Sequence, residues 1–304
     1  MFGLAIHGGA GTLPRAEMSA AKERAYRAGL SEALECGYTV LANGGSSLDA
    51  VSKAVVVLED NPLFNAGRGA VFSLEGRNEL DAAIMDGTTL AAGAVCGVTR
   101  VKNPILLART IMERSVHVML SGEGAEEFAL GQGVEFVAPD YFHTEERWRQ
   151  LEKIRSGDGS VSALTISHTG TVGAVALDQR GHLAAATSTG GMTAKQYGRI
   201  GDSAIIGAGT YADNRSCAVS ATGHGEIFIR AAVAHDICAR MRFAHHSLRQ
   251  AVQDVVHREL PALHGDGGVI AIDANGEICM EFNSEGMFRA SRSAGADAMV
   301  AIYQ

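Results

Sequence analysis

The sequence predicts a layered α+β fold rather than a strictly alternating parallel sheet. Strand-like segments cluster in the middle of the chain, and helical segments fall in pairs. Hydrophobic residues make up 46% of the 304 residues and charged residues 20%. This composition is typical of a globular chain with a large core, and it excludes wholesale disorder.

Helical periodicity identifies the first two helices. Apolar residues recur near helical spacing over residues 20–42, and Asn43-Gly44-Gly45 ends that pattern. Ser46 with Asp49 resembles an N-cap and its acidic N3 partner, and the helix that follows ends near Asn61-Pro62. Further helices are predicted over residues 103–114, around residue 148, and over residues 226–241.

Turn-punctuated strands account for much of the remaining chain, and a final hairpin turns on Asn275-Gly276. Between residues 154 and 170 the pattern weakens, and the run from Ser156 to Ser160 is predicted to be flexible and exposed. The predicted strands are residues 2–7, 70–73, 80–85, 90–98, 171–178, 183–189, 204–208, 216–222, 269–273 and 277–282.

Charge and cysteine usage exclude several partners and compartments. The 26 basic and 34 acidic residues leave a net charge of −8, which disfavours binding to nucleic acid or to an anionic lipid surface. No segment approaches the ~20 apolar residues of a membrane helix, and the first residues lack the pattern of a secretory signal. The five cysteines are widely spaced without a C-x-x-C pair, which predicts reduced, mostly buried thiols in a cytoplasmic protein.

The glycine cluster His7-Gly8-Gly9-Ala10-Gly11 is ambiguous when it is taken alone. It could hold a phosphate after a strand, but it lacks the G-x-G-x-x-G spacing, and the chain has no Walker motif. It is also similar to an α/β-hydrolase oxyanion loop, but there is no G-x-S-x-G elbow. A tight turn where the backbone passes close to a neighbour is the favoured interpretation. The eleven histidines form no recognisable metal motif either.

The segment that carries chemistry begins at Gly170-Thr171-Val172-Gly173. A weakly patterned run ends there at a small residue, and Thr171 opens a strand that is apolar throughout. One interpretation is a β-branched strand residue with no further role. The other is an N-terminal nucleophile, because a threonine freed at its amine can use that amine, of pKa about 7.7–8.0, as its own general base. Such a base needs no histidine.

With these segments in view, the chain resembles the plant-type asparaginase and isoaspartyl peptidase family of N-terminal nucleophile hydrolases. The resemblance runs nearly end to end and rests on the order and spacing of several motifs. They are HGGAG from His7, NPLFNAGRG from Asn61, ELDA from Glu79, MDG from Met85, GTVGAVALD from Gly170, ATSTGG from Ala186, GRIGDS from Gly198 and TGHGE from Thr222.

The resemblance implies self-cleavage between Gly170 and Thr171 into fragments 1–170 and 171–304. Thr171 would then attack the side-chain carbonyl of β-aspartyl dipeptides or of L-asparagine, with no catalytic cofactor. Thr189 would tune the nucleophile, and Thr222 and Gly223 would stabilise the oxyanion. Arg199 would bind the α-carboxylate of the substrate and Asp202 its α-ammonium. Thr222 and Gly223 would also bind the substrate.

The family also implies a four-layer αββα sandwich, one domain despite the cut, that assembles as a dimer of αβ heterodimers. A structural sodium ion would be held mainly by main-chain carbonyls, which suit a hard cation. These carbonyls belong to Leu58, Glu59, Asn61, Phe64, Ala66 and Arg68.

Three alternatives stay open at this point. Aspartylglucosaminidases resemble this chain around the nucleophile, but they typically have Asp in place of Gly170 and carry a signal. The protein-cleaving threonine aspartases also have Asp there and a longer linker. A non-catalytic homologue would keep Arg199 and Asp202 as an amino-acid-binding pair and would never cleave itself.

Overall fold

The computed structural model describes residues 1–11, 13–157 and 170–304. Most of the predicted exposed run, from Asp158 to Ser160, and the residues that follow it to Thr169 therefore lie outside the described chain. The α-helices are α1 (Ala20–Ala42), α2 (Ser47–Asp60), α3 (Pro104–Arg114), α4 (Gly122–Gln132), α5 (Glu145–Arg155), α6 (Gly225–Ala231), α7 (Val233–Ala244), α8 (Leu248–Asp254) and α9 (Leu260–Ala262).

The strands form two sheets. An eight-stranded sheet has the order β12-β11-β1-β5-β6-β2-β3-β4, and a four-stranded sheet has the order β10-β9-β8-β7. Neighbours are antiparallel except for β3 and β4. The strands are β1 (Gly3–Gly11), β2 (Leu80–Asp86), β3 (Ala92–Val98), β4 (Met119–Ser121), β5 (Val172–Leu177), β6 (Leu183–Thr189), β7 (Thr210–Ala212), β8 (Cys217–Gly223), β9 (Gly267–Asp273), β10 (Ile278–Phe282), β11 (Gly286–Ser293) and β12 (Met299–Ala301).

The large sheet is buried on both faces, and most residues of its central strands are apolar or glycine. On β1, Leu4 and Ile6 pack with helices α1 and α2, whereas Ala5 points to the second sheet. Strand β5 alternates in the same way, with Ala174 facing the helices and Val175 facing the second sheet. Helices α7 and α8 pack on the other face of the small sheet. No described helix is long and apolar enough to cross a bilayer.

Several predicted elements are confirmed by the structure. Helix α1 has the predicted bounds, and the Ser46 hydroxyl caps α2 by accepting from the Asp49 N–H at 3.1 Å. The hairpin between β9 and β10 turns at Gly276, where φ is +78°. All five cysteines are free thiols, and four of them are buried.

Other predictions are wrong. Residues 70–73 and 204–208 are buried, apolar segments of loops rather than named strands, because their backbone groups bond to loops and side chains. The predicted helix over 226–241 is two helices, since Ala232 adopts φ +47° and ends α6. The glycine cluster is not a tight turn: it continues β1 to Gly11, with a register shift between His7 and Gly9.

The packing of β3 against α3 leads to a stability prediction. A Cβ on Gly93 would lie 2.0 Å from the carbonyl oxygen of Ala108 and 2.7 Å from the backbone nitrogen of Met112, and neither group can move without shifting α3. We expect Gly93→Ala to lower the free energy of unfolding by ~1–3 kcal/mol in urea titrations.

The control is Gly124→Ala in α4, where an added Cβ would have no neighbour within 4 Å. This variant should be neutral or gain up to ~1 kcal/mol, because alanine is the better helix former. Equal effects of the two substitutions would contradict the packing argument.

Candidate active site

Thr171 lies immediately before β5, the central strand between β1 and β6. Its side chain is buried, and its hydroxyl donates to Thr189 Oγ1 at 3.1 Å. Thr189 is the last residue of β6 and also accepts from the Gly191 N–H at 2.9 Å. Antiparallel pairing of β5 with β6 brings these two hydroxyls together, although they are 18 residues apart in sequence.

The peptide that precedes Thr171 packs against the backbone of β1. Gly170 has φ +80°, and a Cβ there would lie 2.8 Å from Gly9 Cα. Gly9 has φ +114°, and its own Cβ would lie 2.5 Å from Gly170 Cα and 3.1 Å from the Thr171 nitrogen. Glycine is therefore required on both sides of this contact. The contact between Gly9 and Gly170 is the close backbone approach that the glycine cluster predicts.

Asn65, in the loop after α2, holds the carbonyl of the same peptide. Its Nδ2 donates to the Gly170 carbonyl oxygen at 2.8 Å and to the Gly191 carbonyl oxygen at 2.7 Å. Its Oδ1 accepts from the Val71 N–H at 3.0 Å, and this contact assigns the orientation of the amide. A fully buried, oriented N–H donor thus points at the carbonyl next to Thr171.

A pocket opens in front of Thr171 and brings most of the predicted site residues together. Thr222 is not among its lining residues: it is fully buried, and its hydroxyl accepts from the Ala10 N–H at 3.1 Å. The neighbouring Gly223 does line the pocket. The lining residues are Gly170, Thr171, Thr189, Gly191, Met192, Arg199, Gly201, Asp202, Ser203 and Gly223.

Asp202 lines this pocket with a buried side chain. Its Oδ2 is itself buried beside Gly209 and has no hydrogen-bond partner in the structure. Burial raises the pKa of Asp202 to about 7, although nearby Arg199 lowers it. A cationic group in the pocket would favour the carboxylate.

Arg199 makes its ion pair with Glu226 rather than with Asp202. Its Nε and Nη2 donate to the two Glu226 carboxylate oxygens at 2.8 and 2.9 Å, and these bonds hold the pKa of Glu226 below its ordinary value. A Cβ on Gly225 would lie 2.7 Å from Arg199 Nη2 and 3.0 Å from Asp202 Oδ1. The guanidinium and the Asp202 carboxylate therefore converge on one side of the pocket.

In the loop predicted to hold a cation, main-chain carbonyls pack closely against Gly67 and Gly69. A Cβ on Gly69 would lie 2.0 Å from the Phe64 carbonyl oxygen, and one on Gly67 would lie 2.4 Å from the Glu59 carbonyl oxygen. The Ala66 carbonyl accepts one backbone N–H at 3.0 Å and keeps a second lone pair. This oxygen-only donor set fits a hard cation. Among the described residues, no three His, Cys, Asp or Glu side chains form a metal cluster.

Sequence reasoning missed three polar groups of this region. Asn65 and His7 lie within the motifs given above, but nothing in a single sequence shows that Asn65 bonds to Gly170 or that His7 bonds to Thr171. The third is Ser203, which lines the pocket with a buried hydroxyl that has no partner in the structure.

Known proteins resemble this chain along nearly its whole length. A family model described as Asparaginase matches residues 1–302. The chain belongs to the asparaginase family. It is 52% identical to the isoaspartyl peptidase of Salmonella typhimurium over 307 residues, covering 99% of this chain and 98% of that protein.

Two further relatives extend this similarity. The isoaspartyl peptidase of Escherichia coli is 51% identical over 99% of this chain and 96% of its own length. The isoaspartyl peptidase/L-asparaginase of Mus musculus is 42% identical over 93% of this chain and 85% of its own length.

The buried Asp202 leads to a prediction about pH and stability. Because its folded pKa of about 7 exceeds the unfolded value near 3.9, the folded protein holds this proton more tightly than the unfolded chain does. The contribution of Asp202 to the free energy of unfolding is complete below pH ~4 and is lost as pH rises through about 7. In urea unfolding, the free energy of unfolding of Asp202→Asn should not show this decrease between pH 4 and 8.

The matched control is Asp236→Asn, which removes a carboxylate of a half-buried i,i+4 ion pair with Arg240. It should keep the pH dependence of the parent protein. If the free energy of unfolding of Asp202→Asn depended on pH as it does in the parent protein, the raised pKa of Asp202 would be contradicted.

Proposed function

We propose that this chain is an autoprocessing isoaspartyl peptidase and L-asparaginase. The observation that carries the proposal is the Thr171 hydroxyl, bonded to Thr189 at the back of a pocket that also holds Arg199 and Asp202. Family membership and the names of the relatives support the same reaction class. Catalysis needs no cofactor in this proposal, because a freed threonine supplies both nucleophile and base.

Maturation begins with attack of Thr171 Oγ1 on the Gly170 carbonyl carbon. The C–N bond breaks, the nitrogen leaves as the Thr171 amine, and an ester joins Gly170 to the hydroxyl oxygen. Water then hydrolyses the ester and releases fragment 1–170 from fragment 171–304. The Asn65 Nδ2, 2.8 Å from the Gly170 oxygen, is positioned to stabilise the negative charge that develops there.

Substrate hydrolysis repeats this chemistry on a β-aspartyl carbonyl. The Thr171 amine takes the proton of its own hydroxyl, and the hydroxyl oxygen attacks the β-carbonyl carbon to form an aspartyl ester. The substrate C–N bond breaks, ammonia or the amine of the dipeptide leaves with that proton, and water then hydrolyses the ester. Asp202 binds the α-ammonium of the substrate from the wall of the pocket. Arg199 binds the α-carboxylate of the substrate. It does so either through the guanidinium N–H groups that do not bond Glu226 or by replacing Glu226 with the substrate carboxylate.

Opposite charges at Asp202 and Arg199 match the head group of an amino acid, which leaves the β-carbonyl facing Thr171. Gly223 supplies an N–H for the oxyanion. Thr222 supports Gly223, its neighbour in the chain, and the Thr222 hydroxyl is held by the bond that it accepts from the Ala10 N–H.

Both fragments belong to one domain in this proposal. In the large sheet β1 from the first fragment lies between β5 and β11 from the second, so separation would expose apolar sheet on each piece. We infer a four-layer αββα sandwich of the N-terminal nucleophile type. We also infer a dimer of αβ heterodimers in the cytoplasm, by analogy with the family.

We also propose a structural sodium ion in the loop between α2 and β2. The closely packed main-chain carbonyls of Glu59, Phe64 and Ala66 support this ion. The carbonyls of Leu58, Asn61 and Arg68 complete the proposed ligand set. The ion would hold the loop that carries Asn65 and would take no part in the chemistry.

The contact between Gly170 and Gly9 favours this function over an aspartylglucosaminidase-like one. A side chain at residue 170 would meet Gly9 Cα at 2.8 Å, so an aspartate before Thr171 does not fit this backbone.

The function is tested by aspartate release from β-aspartyl-leucine and from L-asparagine, with α-aspartyl-leucine as the matched control. The parent protein should run as two unequal fragments and hydrolyse the two β-linked substrates alone. Thr171→Ala should stay one intact chain without activity. Activity of Thr171→Ala, or of uncut parent protein, would refute the proposal.

The role of Asn65 is tested separately by Asn65→Asp. This variant keeps the acceptor for the Val71 N–H but loses both donated bonds, including the one to the Gly170 carbonyl. We expect fragments to appear about 10²- to 10³-fold more slowly in a gel time course. Asn65→Ser, which can offer one shorter donor, should be less impaired than Asn65→Ala. Cleavage of Asn65→Asp at the parent rate would show that another group stabilises the oxyanion.

A further inference from the structure

His7 lies under the nucleophile and contacts its backbone rather than its hydroxyl. The ring is fully buried on β1, and its Nδ1 lies 2.9 Å from the Thr171 carbonyl oxygen. A carbonyl oxygen can only accept, so Nδ1 carries the proton. The other ring nitrogen, Nε2, lies 2.9 Å from Ser220 Oγ on β8 of the small sheet.

The neighbouring hydroxyls agree with this tautomer. Since Nε2 of a neutral Nδ1–H ring is an acceptor, Ser220 must donate to it. Ser220 Oγ can in turn accept from Thr187 Oγ1 at 2.7 Å, and Thr187 from Thr210 Oγ1 at 2.6 Å. Thr187 and Thr210 also lie 3.2 and 3.0 Å from main-chain carbonyls, but the hydroxyl contacts are shorter. One chain of donors thus runs from the small sheet to the carbonyl of Thr171.

Gly173 is the residue that leaves room for this chain. A Cβ on Gly173 would lie 2.0 Å from Ser220 Oγ and 2.5 Å from His7 Nε2. The glycine two residues after the nucleophile therefore accommodates the hydrogen bond between His7 and Ser220. Burial lowers the pKa of His7 to about 3, so the ring stays neutral in ordinary buffers and keeps Nε2 as an acceptor.

We propose that His7, oriented by Ser220, is a positioning residue for Thr171. The inference rests on the proposed function. After cleavage Thr171 becomes a chain terminus, and a terminus is poorly ordered unless it is tied down. The His7 bond fixes the peptide plane from which the amine and hydroxyl of Thr171 project, and Thr189 then limits their rotation. A nucleophile misplaced by 1 Å loses about 10²-fold in rate.

The test is Ser220→Ala, which removes the hydroxyl that holds His7 Nε2 in place and leaves Thr187 a carbonyl partner. We expect kcat for aspartate release to fall about 10- to 100-fold with little change in KM. Self-cleavage should slow as well, because it uses the same hydroxyl. Ser220→Cys, a weaker donor, should fall between Ser220→Ala and the parent.

Nitrogen-15 NMR of histidine-labelled protein supplies a readout that a merely structural role would not move. The parent protein and Ser220→Ala should both show His7 as the Nδ1–H tautomer, because the Thr171 carbonyl accepts from Nδ1 in each. The Nε2 resonance should move in Ser220→Ala, because that nitrogen loses its donor. The matched control is Ser216→Ala, which removes another buried hydroxyl just before β8 and should change neither the Nε2 resonance nor kcat.

An Nε2–H tautomer in the parent protein, or parent rates in Ser220→Ala, would overturn the positioning role while leaving the proposed function intact. The proposed function fails instead if Thr171→Ala retains activity, whatever the His7 result. If Ser220→Ala does not fold, Ser220→Cys decides: an unchanged kcat and an unchanged Nε2 resonance in that variant would overturn the role.

Discussion

The backbone of β1 passes against the peptide between Gly170 and Thr171 with no side chain between them. This contact needs glycine at both Gly9 and Gly170, because a Cβ on either would meet the other chain at 2.5–2.8 Å. It brings the Gly170 carbonyl within 2.8 Å of the Asn65 amide and leaves Thr171 at the start of a central strand. The position of the proposed cut and the position of the nucleophile therefore depend on the same packing of two glycines.

The groups around Thr171 come from both sheets, and each is held by a different element. Strand β6 supplies Thr189, the small sheet supplies Gly223 and Ser220, and the loop after α2 supplies Asn65. Several of these polar groups are fully buried, so each hydrogen bond is made in a medium that strengthens it and penalises its loss. Asp202 and Ser203 are exceptions, since Asp202 Oδ2 and the Ser203 hydroxyl have no partner in the structure. In the proposed reaction Asp202 binds the ammonium group of the substrate.

Local signals made part of this structure predictable. Periodicity and capping located α1 and α2, and the quoted motifs, read as a family resemblance, identified the asparaginase family. The loops at residues 70–73 and 204–208 were misjudged as strands because apolar composition does not distinguish a buried loop from a strand. The contacts of Asn65 with Gly170 and of His7 with Thr171 span more than 100 residues. A single sequence contains no local pattern for such contacts, so only the fold reveals them.

The most direct test of the account is to locate the acyl group during turnover. Mature protein is mixed with a β-aspartyl dipeptide, quenched in acid, digested and analysed by mass spectrometry. The account predicts one added aspartyl group on the first residue of the fragment that begins at Thr171. An aspartyl group on any other residue, or on a chain that is still continuous through Gly170, would contradict it.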